Sequence, residues 1–412
     1  MTITASRTRV GQLIRVSAFV GPILLGVLLA FHLRRLGHTE GDDFALYLRQ
    51  ARSIFDGDFA TVIADNRFAV INSDPGFSPL AYPWGWPLLA SPFVNAWGFD
   101  YDRLKLVEIA AFATWLALFH GIVRRRLGRL VASGLVTVLA TSAAYLGHTD
   151  ELLSEFPHLV AVSAVLCWHD RIRSRGSLVH GPERDLIVLG LLTVAAYNIR
   201  RESLVLVPMI VIMQFVEIWR ASPNRDMSSL LESVQRSYRA VALPVMSFVI
   251  GVITFQLLLP TELFPDNGNS VGFIVDRWSE APLVVAGQLG IGGHRLVAAG
   301  LVLLATAGAL ISLRQRLVLD APLVITAGLT MVVIGTHVRQ IDRYWLQVTP
   351  WVLYFVAVAF VATTRVVLGR LSTLDARTLH RWAACVAVVP ALVLGCFHLV
   401  SVADDIRDTR TA

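Results

Sequence analysis

Residues 37–57 read GHTEGDDFALYLRQARSIFDG, directly after an apolar run at 16–33. From Asp42 to Phe55 the apolar residues Phe44, Leu48, Ala51 and Phe55 recur at i, i+4, i+7 and i+11. This spacing predicts an amphipathic helix with Asp43, Tyr47, Arg49 and Gln50 off its apolar face. Such a helix is expected to lie on a bilayer surface and to hold the acidic pair Asp42 and Asp43 at headgroup depth. A carboxylate there can take a proton from a substrate hydroxyl, but acids in a first helical turn also complement the helix dipole. The pair alone does not decide between the two.

The flanking sequence makes the bilayer the right frame. The 412 residues are 55% hydrophobic and 16% charged with a mean hydropathy of +0.61, too apolar for a water-soluble chain of this length. Apolar runs fall at 16–33, 104–123, 130–147, 156–168, 185–199, 203–219, 240–259, 296–313, 320–338, 345–363 and 383–402. They predict an all-α, multi-pass membrane protein of about eleven transmembrane helices in one domain over 1–412, with extracytoplasmic loops at 34–103 and 260–295. With the N-terminus inside and the C-terminus outside, the inner segments collect the arginines, including Arg124, Arg125, Arg126 and Arg129, and the outer segments are net acidic. The formal charge of +6 is thereby read as a topology signal in a plasma (inner) membrane, which argues against nucleic-acid binding. Residues 1–35 read as an uncleaved signal anchor. Cys167, Cys385 and Cys396 all fall in apolar runs, so neither a disulfide framework nor a thiolate zinc site is expected.

Chemical variety gathers on the outer side, whereas the inner segments offer arginines and little else. The stretch SPLAYPWGWPLLASP at 78–92 carries Tyr82, Trp84 and Trp86, aromatic rings suited to the headgroup layer or to stacking on a sugar. TDELLSEFPH at 149–158 concentrates Asp150, Glu151, Glu155 and His158, and Glu155 abuts an apolar run where an unpaired carboxylate is costly. Arg200, Arg201 and Glu202 join two apolar runs. Two adjacent arginines outside run against the charge rule, and a phosphate is their natural anion, a local ion pair with Glu202 being the alternative. HVRQIDRYWLQVTPW at 337–351 adds His337, Arg339, Asp342, Arg343 and Tyr344.

In order along the chain, GDDFALYLRQARSIFDG, YPWGWPLLASPF, LLSEFPHLVAV, IRRESLVLVP and DRYWLQVTPW resemble the motifs of the GT-C superfamily of integral-membrane glycosyltransferases. The likeness is to bacterial members similar to protein mannosyltransferases and aminoarabinose transferases, with Trp84 and Trp86 as departures. The resemblance implies inverting transfer of a sugar from a polyprenyl-phosphate carrier to a hydroxyl of a glycan, lipid or protein acceptor. Asp42 or Asp43 would be the base, the family's first acid mapping onto Asp42. Arg200, Arg201, Arg339 and Arg343 would steady the leaving phosphate, each worth on the order of 3 kcal/mol. Tyr47, Tyr82, Trp84, Glu155, Glu202, His337 and Tyr344 complete the expected substrate contacts. A divalent cation, Mg or Mn, held by Asp42, Asp43 and Glu155 is a further implied cofactor. The readings from other classes are a transporter or flippase of a lipid-linked substrate and a non-catalytic subunit of an envelope assembly. The runs at 240–259, 296–313, 321–336 and 345–362 hold no charged residue, which disfavours a coupled transporter.

Overall fold

The computed structural model describes residues 2–38, 43–72, 79–222, 227–261, 270–292, 294–337, 341–371 and 375–411. Among them every regular element is helical. α1 (Thr2–His32) leads to one end of a bundle, where α2 (Asp43–Asp56), α3 (Phe59–Ile71) and α4 (Gly85–Trp97) form a layer. α5 (Tyr101–Leu127) runs to the opposite end, α6 (Arg129–Thr141) and the short α7 (Ala143–His148) return, and α8 (Glu155–Arg175) and α9 (Glu183–Ile199) repeat the pass. α10 (Leu206–Ala221), α11 (Met227–Arg236) and α12 (Tyr238–Leu258) repeat it again, and α13 (Ile274–Gln288) lies at the first end. α14 (Arg295–Gly335), α15 (Thr349–Leu371) and α16 (Ala376–Thr411) complete the chain.

Six of the described helices are long and apolar enough to cross a membrane, and the protein is a multi-pass membrane protein. Helices suit this sequence because each satisfies its own backbone hydrogen bonds where lipid offers none. Each of the apolar runs read from the sequence falls wholly or largely on a helix. The runs 296–313 and 320–338 are the two halves of α14, which breaks at Arg316 (φ −142°, ψ 41°). The halves must fold back on one another. A straight helix would separate Arg295 from Gly335 by about 60 Å, yet Gly335 packs on Trp278, and the chain from Trp278 to Arg295 reaches only about 40 Å.

Two expectations for the outer loops change. Residues 260–295 include a helix, α13, whose Trp278 Nε1 donates to the Met331 carbonyl at 3.0 Å. The helix predicted to float on lipid packs on α4 and α3 instead, burying Tyr47, Leu48, Gln50 and Ala51 while Phe55 stays exposed. The buried face is thus set by protein neighbours rather than by the apolar stripe. Gln50 is buried because its amide makes a reciprocal pair with the Tyr82 backbone, Nε2 to O and N to Oε1, both at 3.0 Å.

Gly85 fixes this layer to the bundle. A Cβ there would stand 2.5 Å from the Asn198 carbonyl oxygen, so the start of α4 touches the backbone end of α9 just before Arg200. Gly85→Ala is expected to lower stability by about 1–3 kcal/mol through overpacking. It should also speed proteolysis within α2–α4, and unchanged thermal midpoint and cleavage would show that the contact can relax.

Candidate active site

The first end of the bundle gathers acids and arginines from four distant stretches. Glu155 opens α8, Arg200 is the extended residue that ends α9, Arg343 lies in the 3-10 turn Asp342–Gln347, and Asp43 begins α2. Arg200 Nη1 donates to Glu155 Oε1 at 2.7 Å, and Arg200 Nη2 donates to Glu202 Oε1 at 3.1 Å. Arg343 reaches both carboxylates, with Nε 3.4 Å from Glu155 Oε1 and Nη2 paired with Asp43 Oδ2. Tyr82 Oη donates to Asp43 Oδ1 at 2.6 Å. The Tyr344 ring lies under both guanidiniums, 5.2 Å from Arg200 and 5.8 Å from Arg343.

Exposure separates the two acids. The side chain of Glu155 is 3% accessible, whereas that of Asp43 is 23% accessible and can meet a substrate. Burial would push the Glu155 carboxyl up, but Arg200 and then Arg343 outweigh it and hold it below the ordinary glutamate value. Its contribution to stability is therefore present above pH 4.5 and lost as the pH falls through the lower folded value. The gap in thermal midpoint between the wild type and Glu155→Gln should be constant above pH 4.5 and close below it; a gap that widened on acidification would contradict the ion pairing. Tyr47, buried against Tyr82 with ring centroids 4.5 Å apart, has its hydroxyl pushed up by burial and then by Asp43. It stays protonated, 3.2 Å from Ser154 Oγ, and so is no base.

The remaining expected residues divide. Arg201 lies over the Tyr197 ring at 4.5 Å, and His337 meets Tyr344 edge-on at 4.8 Å. Asp42 and Arg339 lie outside the described residues. Trp84 is fully buried and Trp86 nearly so, which corrects their placement in the headgroup layer. Trp84 packs edge-on to Phe59 and its Nε1 donates to the Pro260 carbonyl at 3.1 Å, so it supports the site rather than contacting substrate. Asp150 does not merely solvate a turn: it pairs with Lys105, the only lysine, at 2.8 Å and with Arg35 at 3.0 Å.

Among the described residues no three His, Cys, Asp or Glu side chains gather to hold a metal. Asp43 and Glu155 face one another through Arg343, and Asp42, the third acid read as a cation ligand, lies outside the described residues. Beside the cluster lies a cavity of about 380 Å³ lined by residues including His148, Leu283, Val284 and Asp342. His148 Nδ1 is 2.7 Å from Glu151 Oε2, and Asp342 precedes Arg343 in the chain. Sequence reasoning missed Ser154, Gln50 and Lys105, whose partners lie tens of residues away and leave no local signal.

No family model matches the chain, and no curated protein matches it in sequence. Solved structures do. ArnT from Cupriavidus metallidurans in the apo state aligns with a TM-score of 0.57 and 14% identity over 98% of this chain and 73% of its own. The same enzyme bound to undecaprenyl phosphate aligns at 0.53 and 15% identity over 93% and 72%. The oligosaccharyltransferase AglB from Archaeoglobus fulgidus, in complex with an inhibitory peptide and a dolichol-phosphate, aligns at 0.50 and 13% identity over 93% of this chain and 56% of its own. The arrangement of helices described above is thus the fold of ArnT and AglB.

Proposed function

We propose that the protein is an inverting glycosyltransferase that moves a monosaccharide from a polyprenyl-phosphate carrier to a glycan, lipid or protein hydroxyl on the extracytoplasmic side of the plasma membrane. The observation that carries this reading is the bridge Asp43–Arg343–Glu155–Arg200, built from four stretches at one end of a GT-C fold. The fold's other members supply the lipid carrier by analogy, since ArnT binds undecaprenyl phosphate and AglB dolichol-phosphate. The basic excess at the opposite end, including Arg124, Arg125 and Arg129, supports an orientation with that end in the cytoplasm and with all of the apolar runs as spans.

The chemistry follows from the geometry. The acceptor oxygen attacks C1 of the sugar as the C1–O bond to phosphate breaks, the hydroxyl proton passes to an Asp43 oxygen, and the lipid phosphate leaves with an added negative charge. Attack opposite the leaving group inverts the anomeric centre. Phosphate needs electrostatic stabilisation more than a proton, and Arg343 and Arg200 are the cations poised for it. A phosphate drawing on Arg343 competes with Asp43 for the same guanidinium, so donor binding would also free the Asp43 oxygen that takes the proton. The cavity beside Arg343, at about 380 Å³, has room for the transferred sugar.

The test is binding of undecaprenyl phosphate to the full chain in lipid nanodiscs. Arg343→Gln, which removes a charge-assisted contact, is expected to weaken it by about 10–100-fold. Equal affinity of Arg343→Gln and wild type would remove the phosphate role.

A further inference from the structure

Directly beneath the ion cluster lies a second, much smaller cavity of about 10 Å³, whose lining includes His158, Glu202, Ser203, Thr326, Thr330 and Gln347. Its volume is about what a single water needs. The polar side chains around it are nearly inaccessible: Gln347 is 5% exposed, His158 2% and Thr326 2%. Four of their atoms, His158 Nδ1, Gln347 Nε2 and Oε1 and Thr326 Oγ1, make no hydrogen bond to protein groups. An unsatisfied buried donor or acceptor costs about 1–3 kcal/mol, so four around one cavity demand a common partner.

The connections of these residues give the cavity a role. His158 lies one turn after Glu155 on α8, and its Nε2 is 2.6 Å from Ser203 Oγ. The Ser203 N–H donates in turn to the Arg200 carbonyl at 3.1 Å. Gln347 belongs to the 3-10 turn that carries Arg343. Thr326 comes from the second half of α14. Above the cavity Arg200 and Arg343 share Glu155; around it, the turns that carry those arginines present polar groups with nothing between them.

We infer that this cavity is a built site for one internal water, which ties the Arg200 turn and the Arg343 turn to α8, with His158, Gln347 and Thr326 as positioning residues for the two guanidiniums. Water suits the donor set: it takes two to four partners, and the amide, hydroxyl and imidazole here supply both donors and acceptors. A hard cation would need six or more oxygens, which these side chains do not provide. The claim about the water stands on geometry alone, and its effect on phosphate binding rests on the function proposed above.

The experiment uses the full chain in nanodiscs, with a structure at a resolution that reveals ordered water and affinity for undecaprenyl phosphate measured well below each variant's thermal midpoint. The wild type should show one density bonded to His158 Nδ1, the Gln347 amide and Thr326 Oγ1. The double variant Thr326→Val, Gln347→Leu should lose it and bind the lipid about tenfold more weakly, while Thr326→Ser, which keeps the hydroxyl, should bind as the wild type does. Should the double variant not fold, Thr326→Val alone carries the same comparison. Absence of the density in the wild type, or a density ringed by oxygens at metal distances, overturns the water site. Density present with undiminished affinity in the variants overturns the positioning role. A wild type that shows the density yet never binds undecaprenyl phosphate supports the water site and instead overturns the donor reading.

Discussion

Asp43→Asn is expected to slow sugar transfer from a polyprenyl-phosphate donor by about 10²–10⁴-fold, the usual contribution of a positioned general base. Affinity for undecaprenyl phosphate should be unchanged or tighter. The substitution keeps the shape and the Tyr82 contact but removes the negative charge that competes with phosphate for Arg343. This split between turnover and binding separates Asp43 from its neighbour. Glu155 is nearly inaccessible and already engaged by two arginines, so neutralising it should damage folding and phosphate binding together. Arg343→Gln should give the opposite pattern to Asp43→Asn, weakening the lipid phosphate first. Near-normal turnover in Asp43→Asn would return that aspartate to helix capping and leave Asp42 as the acid to test.

Much of the site was legible because charge beside apolar sequence is costly and therefore informative. Glu155 at the edge of an apolar run and Arg200 on the wrong side of the charge rule each pointed to a partner, and they prove to be partners of one another at 2.7 Å. The alternative weighed for the arginine pair also holds in part, since Arg200 does pair with Glu202. Residues whose role depends on a distant backbone were not legible. Trp84 read as an aromatic ring suited to the headgroup layer or to a sugar, but its burial is decided by Phe59 and the Pro260 carbonyl. Gln50 falls off the apolar stripe, yet the Tyr82 backbone claims it and buries it. The break in α14 was visible as a gap between two apolar runs, while the tightness of its reversal depends on Arg316, whose Nη1 donates to the Arg126 carbonyl at 2.6 Å. Hydropathy can locate a turn but cannot say what closes it.

Among the inner arginines Arg126 stands apart, since Arg124, Arg125 and Arg129 stay exposed. Taken with its neighbours it looked like a topology signal, but it is buried and binds Asp170 through two parallel contacts of 2.6 and 2.9 Å. Its Nε also donates to Asp320 at 3.1 Å, and Asp320 accepts from Tyr354 Oη at 2.9 Å and pairs with Arg316 at 3.1 Å. One guanidinium thus joins α5, α8 and the turn of α14 at the end opposite the site. Removing one partner of such a network leaves buried carboxylates uncompensated, so Arg126→Leu is expected to cost about 3–5 kcal/mol of stability, read as a fall in thermal midpoint. Adding Asp170→Leu should recover part of the loss, because it removes the carboxylate that has lost its partner, whereas Asp320 keeps Arg316 and Tyr354. Asp170 lies about 22 Å along α8 from Glu155, so affinity for undecaprenyl phosphate should hold in both variants below their midpoints. A double variant less stable than the single one would mean that Asp170 works through His169, whose Nδ1 is 3.8 Å from it, and not chiefly through Arg126.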